Sequence, residues 1–298
     1  MLWIILPVLI NVAFFTLLER KILGLRQLRK GPNKVSVGGI LQPMRDAVKL
    51  FMKEFFRPFK AKLFLFTASP SLGLFIILLI WRLFADYWGF QRFSYSISLF
   101  LVFLGINIYP LFFCGWCSNR KYALLGATRG ISQSISYEIS LALILLTFLC
   151  LSRRIQLSGV FFRNIEISYV FVAAPLVYLW LVCCVAETNR SPFDFAEGER
   201  ELVSGFNIEY GAGGFALIFI AEYARILFLS YLTGLLLGAS HFSSEIQVLG
   251  IIILGRIWVW LRCTYPRYRY DKLMILAWKR FLPLTLSGTL FYMRVSSF

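Results

Sequence analysis

The sequence predicts an all-α integral membrane protein with eight transmembrane helices plus an interfacial amphipathic helix in the first loop. Three observations predict it. Of the 298 residues, 59% are hydrophobic and only 15% are charged, with a mean hydropathy of +0.72, whereas soluble domains run near about 25% charged. Eight segments approach the roughly 20 apolar residues needed to cross a hydrocarbon core. The Lys and Arg residues concentrate in alternate loops, as they do where basic loops stay on one side of a bilayer. This composition excludes disorder, which needs low hydrophobicity. A net charge of +16 in a soluble chain would point to nucleic acid; in so apolar a chain it reads as topology, with no nucleic acid partner.

The spans, in one polytopic domain over 1–298, are 1–18, 63–85, 96–118, 126–151, 167–186, 211–237, 246–263 and 273–294. The apolar runs 1–18, 63–81, 93–119 and 167–186 carry no charge, while 126–151, 211–237, 246–261 and 273–293 tolerate a few: Arg129 and Glu138 in the fourth, Glu222 and Arg225 in the sixth, Arg256 in the seventh, Lys279 and Arg280 in the eighth. The seventh is the shortest apolar run and borrows flanking residues up to Cys263. The first lacks a basic leader and an Ala-x-Ala site, so it is expected to stay in the mature chain. Counted between these apolar runs, loops after spans one, three, five and seven hold 20 Lys/Arg, against six on the opposite side. The basic loops are therefore expected on the matrix or cytoplasmic face, with both chain ends across the membrane.

The first loop, 19–62, carries twelve basic and three acidic residues. Within it Met44, Ala47, Val48, Phe51, Met52 and Phe55 follow the spacing of one helical face. Arg45, Asp46, Lys49, Lys53, Glu54 and Arg57 fill the other face. Pro43 suits a first helical turn and Pro58 ends the pattern, giving an amphipathic helix over about 43–57. It reads as a basic helix on anionic lipid, or as the frame of a lateral opening whose basic face docks a soluble partner.

A second loop, 187–210, is acidic. Glu187, Asp194, Glu197, Glu199, Glu201 and Glu209 face only Arg190 and Arg200, a net −4 in a chain that is otherwise +20. It reads as a solvated acidic loop, or as a partly buried one, since Pro192, Phe193, Phe195, Leu202, Val203 and Phe206 interleave the acids. Crowded carboxylates in low dielectric cannot all ionise, and they titrate as a set. Glu138, beside Tyr137, and Glu222, three residues before Arg225, lie inside spans, where an ionised side chain costs at least about 2.5–3.5 kcal/mol and usually faces a bundle interior. Together they would form a polar path from the basic face into the membrane.

There is no dinucleotide fingerprint, P-loop, zinc-protease motif or haem ligand pair. Cys114-x-x-Cys117 lacks a second pair, so the six cysteines are expected as free buried thiols. The single His241 is expected in a short solvated loop. No metal site and no redox cofactor are expected on this chain.

Several motifs are those of a known family. Glu19-Arg20-Lys21-Ile22-Leu23-Gly24, Gln27-Leu28-Arg29-Lys30-Gly31-Pro32-Asn33, Leu41-Gln42-Pro43, Asp46-Ala47-x-Lys49-Leu50, Ala186-Glu187-Thr188-Asn189-Arg190-Ser191-Pro192-Phe193-Asp194, Glu197-Gly198-Glu199-x-Glu201-Leu202-Val203-Ser204-Gly205-Phe206-Asn207 and Tyr265-Pro266-Arg267-x-Arg269-Tyr270-Asp271 are present. The chain resembles, over essentially its whole length, the subunit 1 family of proton-pumping NADH:ubiquinone oxidoreductase (respiratory complex I), in its shorter mitochondrial form.

The resemblance implies a multi-pass core subunit of the mitochondrial inner membrane, its N-terminus on the intermembrane-space side. Ubiquinone would be a substrate, and FMN and iron–sulfur clusters would lie in partner subunits. The implied partners are the quinone-site and terminal-cluster subunits on the matrix side, small membrane subunits laterally, and membrane lipids. By resemblance Thr16, Glu19, Arg20, Arg29, Asp46, Phe215, Phe219 and Arg262 line the quinone tunnel. Tyr137, Glu138, Glu187, Asp194, Glu197, Glu199, Glu201, Glu209 and Glu222 form the acidic coupling route, with Arg129 and Arg190 beside it. The chain would be part of an enzyme without being catalytic alone. Alternatives are the membrane anchor of a hydrogenase-type complex, an ion transporter, or a purely structural scaffold; a transporter should show internal repeats, and none is evident.

Overall fold

The computed structural model describes residues 2–55, 58–59, 61–83, 95–152, 173–196, 198, 205–237 and 244–297. Among the described residues every regular element is helical. In chain order these are α1 (Leu2–Arg26), α2 (Gln42–Met52), α3 (Leu63–Leu83), α4 (Ser96–Ile106), α5 (Ile108–Cys117), α6 (Lys121–Ser152), α7 (Ala174–Glu187), α8 (Ala212–Leu237), α9 (Ser244–Thr264), α10 (Tyr270–Ile275) and α11 (Leu282–Ser297).

Among the described residues four helical stretches are long and apolar enough to cross a membrane: Leu63–Leu83, Ser96–Cys117, Lys121–Ser152 and Ala212–Leu237. Ala174–Glu187 is a shorter apolar helix. α4 and α5 abut at Asn107, whose backbone stays right-handed helical. Pro110, inside α5, has no N–H to offer the preceding turn, which loosens this join. Between α10 and α11 the helix widens into a π turn over Leu276–Phe281 that carries Lys279 and Arg280.

The first helix does not stop with the apolar run at residue 18. It continues two turns to Arg26, keeping Glu19 inside the bundle, where it is 5% exposed. The helix expected over 43–57 is observed over Gln42–Met52, with Pro43 in its first turn and Lys53 extended. Beyond Met52 the straightened chain brings Phe55 to within 3.7 Å of where a Cβ on Gly214 would lie, while Phe51 stands against Gly213. None of the residues of α2 is fully buried, and Met44, Val48, Phe51 and Met52 are exposed.

The core forms where α6 meets α5, α7 and α11, and where α8 meets α1, α3 and α9. Trp180, Tyr137, Phe66, Phe100 and Phe148 are the largest fully buried side chains among the described residues. Phe148 meets Trp180 edge-on at 6.4 Å. Trp81 meets Phe228 edge-on at 5.5 Å, and its indole N–H donates to the Ala224 carbonyl at 3.1 Å. Between apolar helices in lipid, close contact and hydrogen bonds replace the hydrophobic drive. Gly126 marks a close backbone approach: a Cβ there would lie 2.9 Å from the Ala196 carbonyl oxygen and from Gly205 Cα. That contact seats the acidic loop directly on α6.

Candidate functional site

Glu19 on α1 is the centre of a buried ion cluster. Its Oε1 meets Arg190 at 3.5 Å and accepts a short hydrogen bond from Arg262. Its Oε2 accepts from the Tyr223 hydroxyl at 2.5 Å. Arg190 comes from the acidic loop, Tyr223 from α8 and Arg262 from α9, so one carboxylate ties together four chain segments. The Arg190 guanidinium also lies 4.4 Å above the Tyr223 ring, which adds a cation–π attraction. A cleft opens beside the cluster, with Phe15, Ile226 and Trp258 on its apolar side and Glu19, Arg190 and Arg262 on its polar side.

An aromatic track leads to the cluster along α8. Phe215 and Phe219 are 4.3 Å apart between ring centroids, Phe219 and Tyr223 6.3 Å. The spacing follows directly from residues four apart on one helical face. Phe15 of α1 closes the end of the track, edge-on to Tyr223 at 6.1 Å. The opposite end lies at the head of α8, where Gly213 and Gly214 leave room for Phe51 and Phe55. Such a track offers stacking surface to a long apolar molecule and charged groups to a polar end.

The three described acids of the loop are each paired with an arginine. Asp194 binds Arg267 at 2.7 Å, Glu209 binds Arg120 at 2.9 Å, and Glu187 has Arg225 at 3.9 Å. The tie to the segment after α9 is reinforced by Tyr268 N–H donating to the Pro192 carbonyl at 3.0 Å. Glu222 shares the field of Arg190, Arg225, Asp194 and Arg262. Glu187, at the loop end of α7 and one residue past the predicted span, is 3% exposed. Burial raises its carboxyl from 4.5 to about 7; Arg225 draws it down and Glu138 pushes it up. Its Oε2 and Asp194 Oδ1 are buried without a hydrogen-bond partner among the described residues. Deeper along α6, the Tyr137 hydroxyl is buried and likewise unpartnered, its ring 6.3 Å from Phe193. Glu138 faces Gly105 of α4, where a Cβ would lie 3.1 Å from its Oε1.

The residues named from the sequence therefore divide. Glu19, Arg190, Arg262, Phe219 and Phe215 converge on the cluster and its track, with Glu187, Asp194, Glu222, Tyr137 and Glu138 adjoining. Thr16 spends its hydroxyl on the Ala13 carbonyl at 2.7 Å. Arg20 is half exposed and pairs with Asp46 of α2 at 2.5 Å, an entrance contact outside the cluster. Arg29 is exposed and holds Gln27. Glu209 faces Arg120 before α6, and the Arg129 guanidinium lies 5.9 Å from the Tyr270 ring. Glu197, Glu199, Glu201, Arg200 and His241 lie outside the described residues. All six cysteines are unpaired, four of them buried, and among the described residues no group of three or more His, Cys, Asp or Glu is placed to hold a metal ion.

Two residues that sequence reasoning passed over complete the site. Tyr223 supplies the hydroxyl on Glu19, and Gln133 of α6 donates from Nε2 to the carbonyls of Ala186 and Phe193, 2.8 Å each. Both are polar groups inside apolar spans, the same signal that marked Glu138 and Glu222.

A helical protein with membrane-length apolar helices, a buried carboxylate–guanidinium cluster and an aromatic approach defines the class: a membrane protein whose interior handles charge. A model of the family described as NADH dehydrogenase matches residues 1–293. The chain is 47% identical over 297 residues to NADH-ubiquinone oxidoreductase chain 1 of Anopheles gambiae, covering 100% of this chain and 95% of that protein. It is 48% identical to the protein of the same name from Heterololigo bleekeri, covering 95% and 92%, and 42% identical to that of Didelphis virginiana, covering 99% and 95%. The chain belongs to the NADH dehydrogenase family.

Proposed function

We propose that this chain is the core membrane subunit of proton-pumping NADH:ubiquinone oxidoreductase that forms the ubiquinone access tunnel and couples quinone reduction to proton translocation. The observation that carries this reading is the continuous aromatic run Phe215–Phe219–Tyr223 ending on Glu19, Arg190 and Arg262. An isoprenoid tail suits the rings, and charged groups at the inner end suit passage of a polar headgroup. Reduction takes place beyond this chain, in partner subunits that carry the FMN and iron–sulfur clusters.

Coupling is electrostatic. A change of charge near Glu19 alters the field of Arg190, which also acts on Glu222. Glu222 shares Arg225 with Glu187, and Glu187 acts on Glu138 in α6. Protons exchange along Glu187, Asp194, Glu222, Tyr137 and Glu138, with Glu197, Glu199, Glu201 and Glu209 feeding the route from the basic side. Arg129 and Arg190 tune it. In the membrane the chain takes eight spans, with α2 on the interface and the N-terminus on the intermembrane-space side of the mitochondrial inner membrane. There it adjoins the quinone-site subunits on the matrix face, small membrane subunits laterally, and lipid.

A ubiquinone analogue with a photoreactive tail, activated in the intact complex, tests the tunnel. Labelling of α1 and of residues 215–223 is expected. Labelling confined to the outward surfaces of α3 and α5 would overturn it. For the coupling, Glu222→Gln or Glu138→Gln in the same complex should lower protons pumped per NADH oxidised while electron entry from NADH persists.

A further inference from the structure

We infer that Gln133 is a positioning residue for this route: a single amide fixes the two peptide groups from which Glu187 and Asp194 spring and holds both acids in register with Tyr137 and Glu138. The inference rests on the relay reading above and names the part that aligns it. Gln133 is fully buried in α6, and both hydrogens of its Nε2 are committed, to the carbonyls of Ala186 and Phe193 at 2.8 Å each. Each carbonyl belongs to the same planar peptide unit as the next residue's nitrogen. Those next residues are Glu187 and Asp194.

The amide therefore acts at both ends of the segment 187–193. At one end it adds a side-chain donor to the last turn of α7, where the Ala186 carbonyl also accepts from Asn189 N–H at 3.2 Å. At the other it anchors the peptide preceding Asp194. Tyr137 and Glu138 follow one turn later on the same helix, with the Tyr137 ring resting near Phe193. The Gln133 Oε1, Glu187 Oε2, Asp194 Oδ1 and Tyr137 hydroxyl are all buried without a hydrogen-bond partner among the described residues. Groups left in that state are commonly bridged by ordered water, so the clamp sets the spacing that such waters must span. Packing alone would be served as well by Met of similar volume; the amide adds a second donor to each carbonyl, beside the Asn189 N–H on Ala186 and the Phe195 N–H on Phe193, both at 3.2 Å.

The test uses the intact complex in sealed vesicles. Gln133→Glu keeps the shape but aims oxygen lone pairs at both carbonyls, and Gln133→Met keeps the volume without donors. Glu187→Gln runs in parallel as the reference for the relay itself. NADH oxidation with a soluble acceptor that bypasses quinone measures assembled complex. Per assembled complex, both Gln133 variants are expected to lower the quinone-linked pumping rate by about tenfold, as misplaced reacting groups do, and to lower protons pumped per NADH. A purely structural role would reduce the amount of complex and leave that ratio alone.

If Glu187→Gln pumps normally, the relay reading fails. If Glu187→Gln is impaired while either Gln133 variant assembles with an unchanged ratio, the positioning role is overturned and the relay stands. If neither Gln133 variant assembles while Glu187→Gln does, Gln133 serves only folding, and the inference is overturned as well.

Discussion

Replacing Tyr223 by Phe deletes one oxygen at the inner end of the aromatic track and leaves the ring that stacks below Arg190 and beside Phe219. The change removes from Glu19 the 2.5 Å hydrogen bond that Oε2 accepts. A hydrogen bond to a charged group contributes about 1.5–3 kcal/mol. The Glu19 side chain is 6% exposed, so water does not replace the donor, and the expected loss lies toward about 2–3 kcal/mol. Glu19→Gln instead leaves Arg190 and Arg262 without their shared anion. A broken buried pair costs about 3–5 kcal/mol; with the Arg262 side chain 35% exposed, the lower end applies. Once the carboxylate is gone the phenol has no anion to serve, so the two substitutions should not add. SDS-titrated unfolding of the purified complex in mixed micelles, followed on this chain for both single variants and the double, should return a coupling of about 1–3 kcal/mol. A coupling below about 0.5 kcal/mol would refute the cluster as described.

Glu187 makes stability depend on pH. Burial, helped by Glu138 and opposed by Arg225, raises its folded carboxyl from 4.5 to about 7, so its contribution is complete below about pH 4.5 and lost as pH rises through about 7. The difference amounts to about 3 kcal/mol, and Glu187→Gln should flatten the unfolding profile by that order; a profile parallel to the parent's would exclude the assignment. Gly126→Ala sets a Cβ 2.9 Å from the Ala196 carbonyl oxygen and Gly205 Cα, both backbone atoms. It should cost about 1–3 kcal/mol, read as a lower yield of assembled complex, and a normal yield would show that the loop yields freely. Arg20→Gln breaks the pair with Asp46, but the Arg20 side chain is 52% exposed. The change should stay below about 1 kcal/mol and shrink in high salt, as compared in thermal inactivation at two ionic strengths.

The sequence made the long apolar helices legible because a span announces itself by composition alone: α3, α6 and α8 fall close to where hydropathy put them. Capping chemistry placed the start of α2 at Pro43, but its end was hidden, because it depends on Phe55 reaching Gly214 on a helix 159 residues away. The acids were legible as a local excess of negative charge; their neutralisation was not. Glu19 meets Arg262 and Asp194 meets Arg267 across 243 and 73 residues, and Glu187 meets Arg225 of α8. No window of sequence contains such pairs. Gln133 escaped notice for a related reason, since an uncharged amide stands out only when its two distant carbonyls are seen.

The π turn over Leu276–Phe281 governs what the last helix can lose. A turn bonded five apart stores one residue beyond the α repeat. Thr285, Thr289 and Tyr292 are buried beyond it, while Leu284, Leu290 and Phe291 point outward. Straightening that turn with every residue retained would swing this stripe by about 100° and trade the inward set for the outward one. Dropping one residue from 276–281 would cancel the surplus and leave the stripe aimed as it is, whereas dropping one from 286–291 would reverse part of it. The C-terminal helix thus holds a single-residue reserve at one known place, where changes of length among relatives can be absorbed without refitting the bundle.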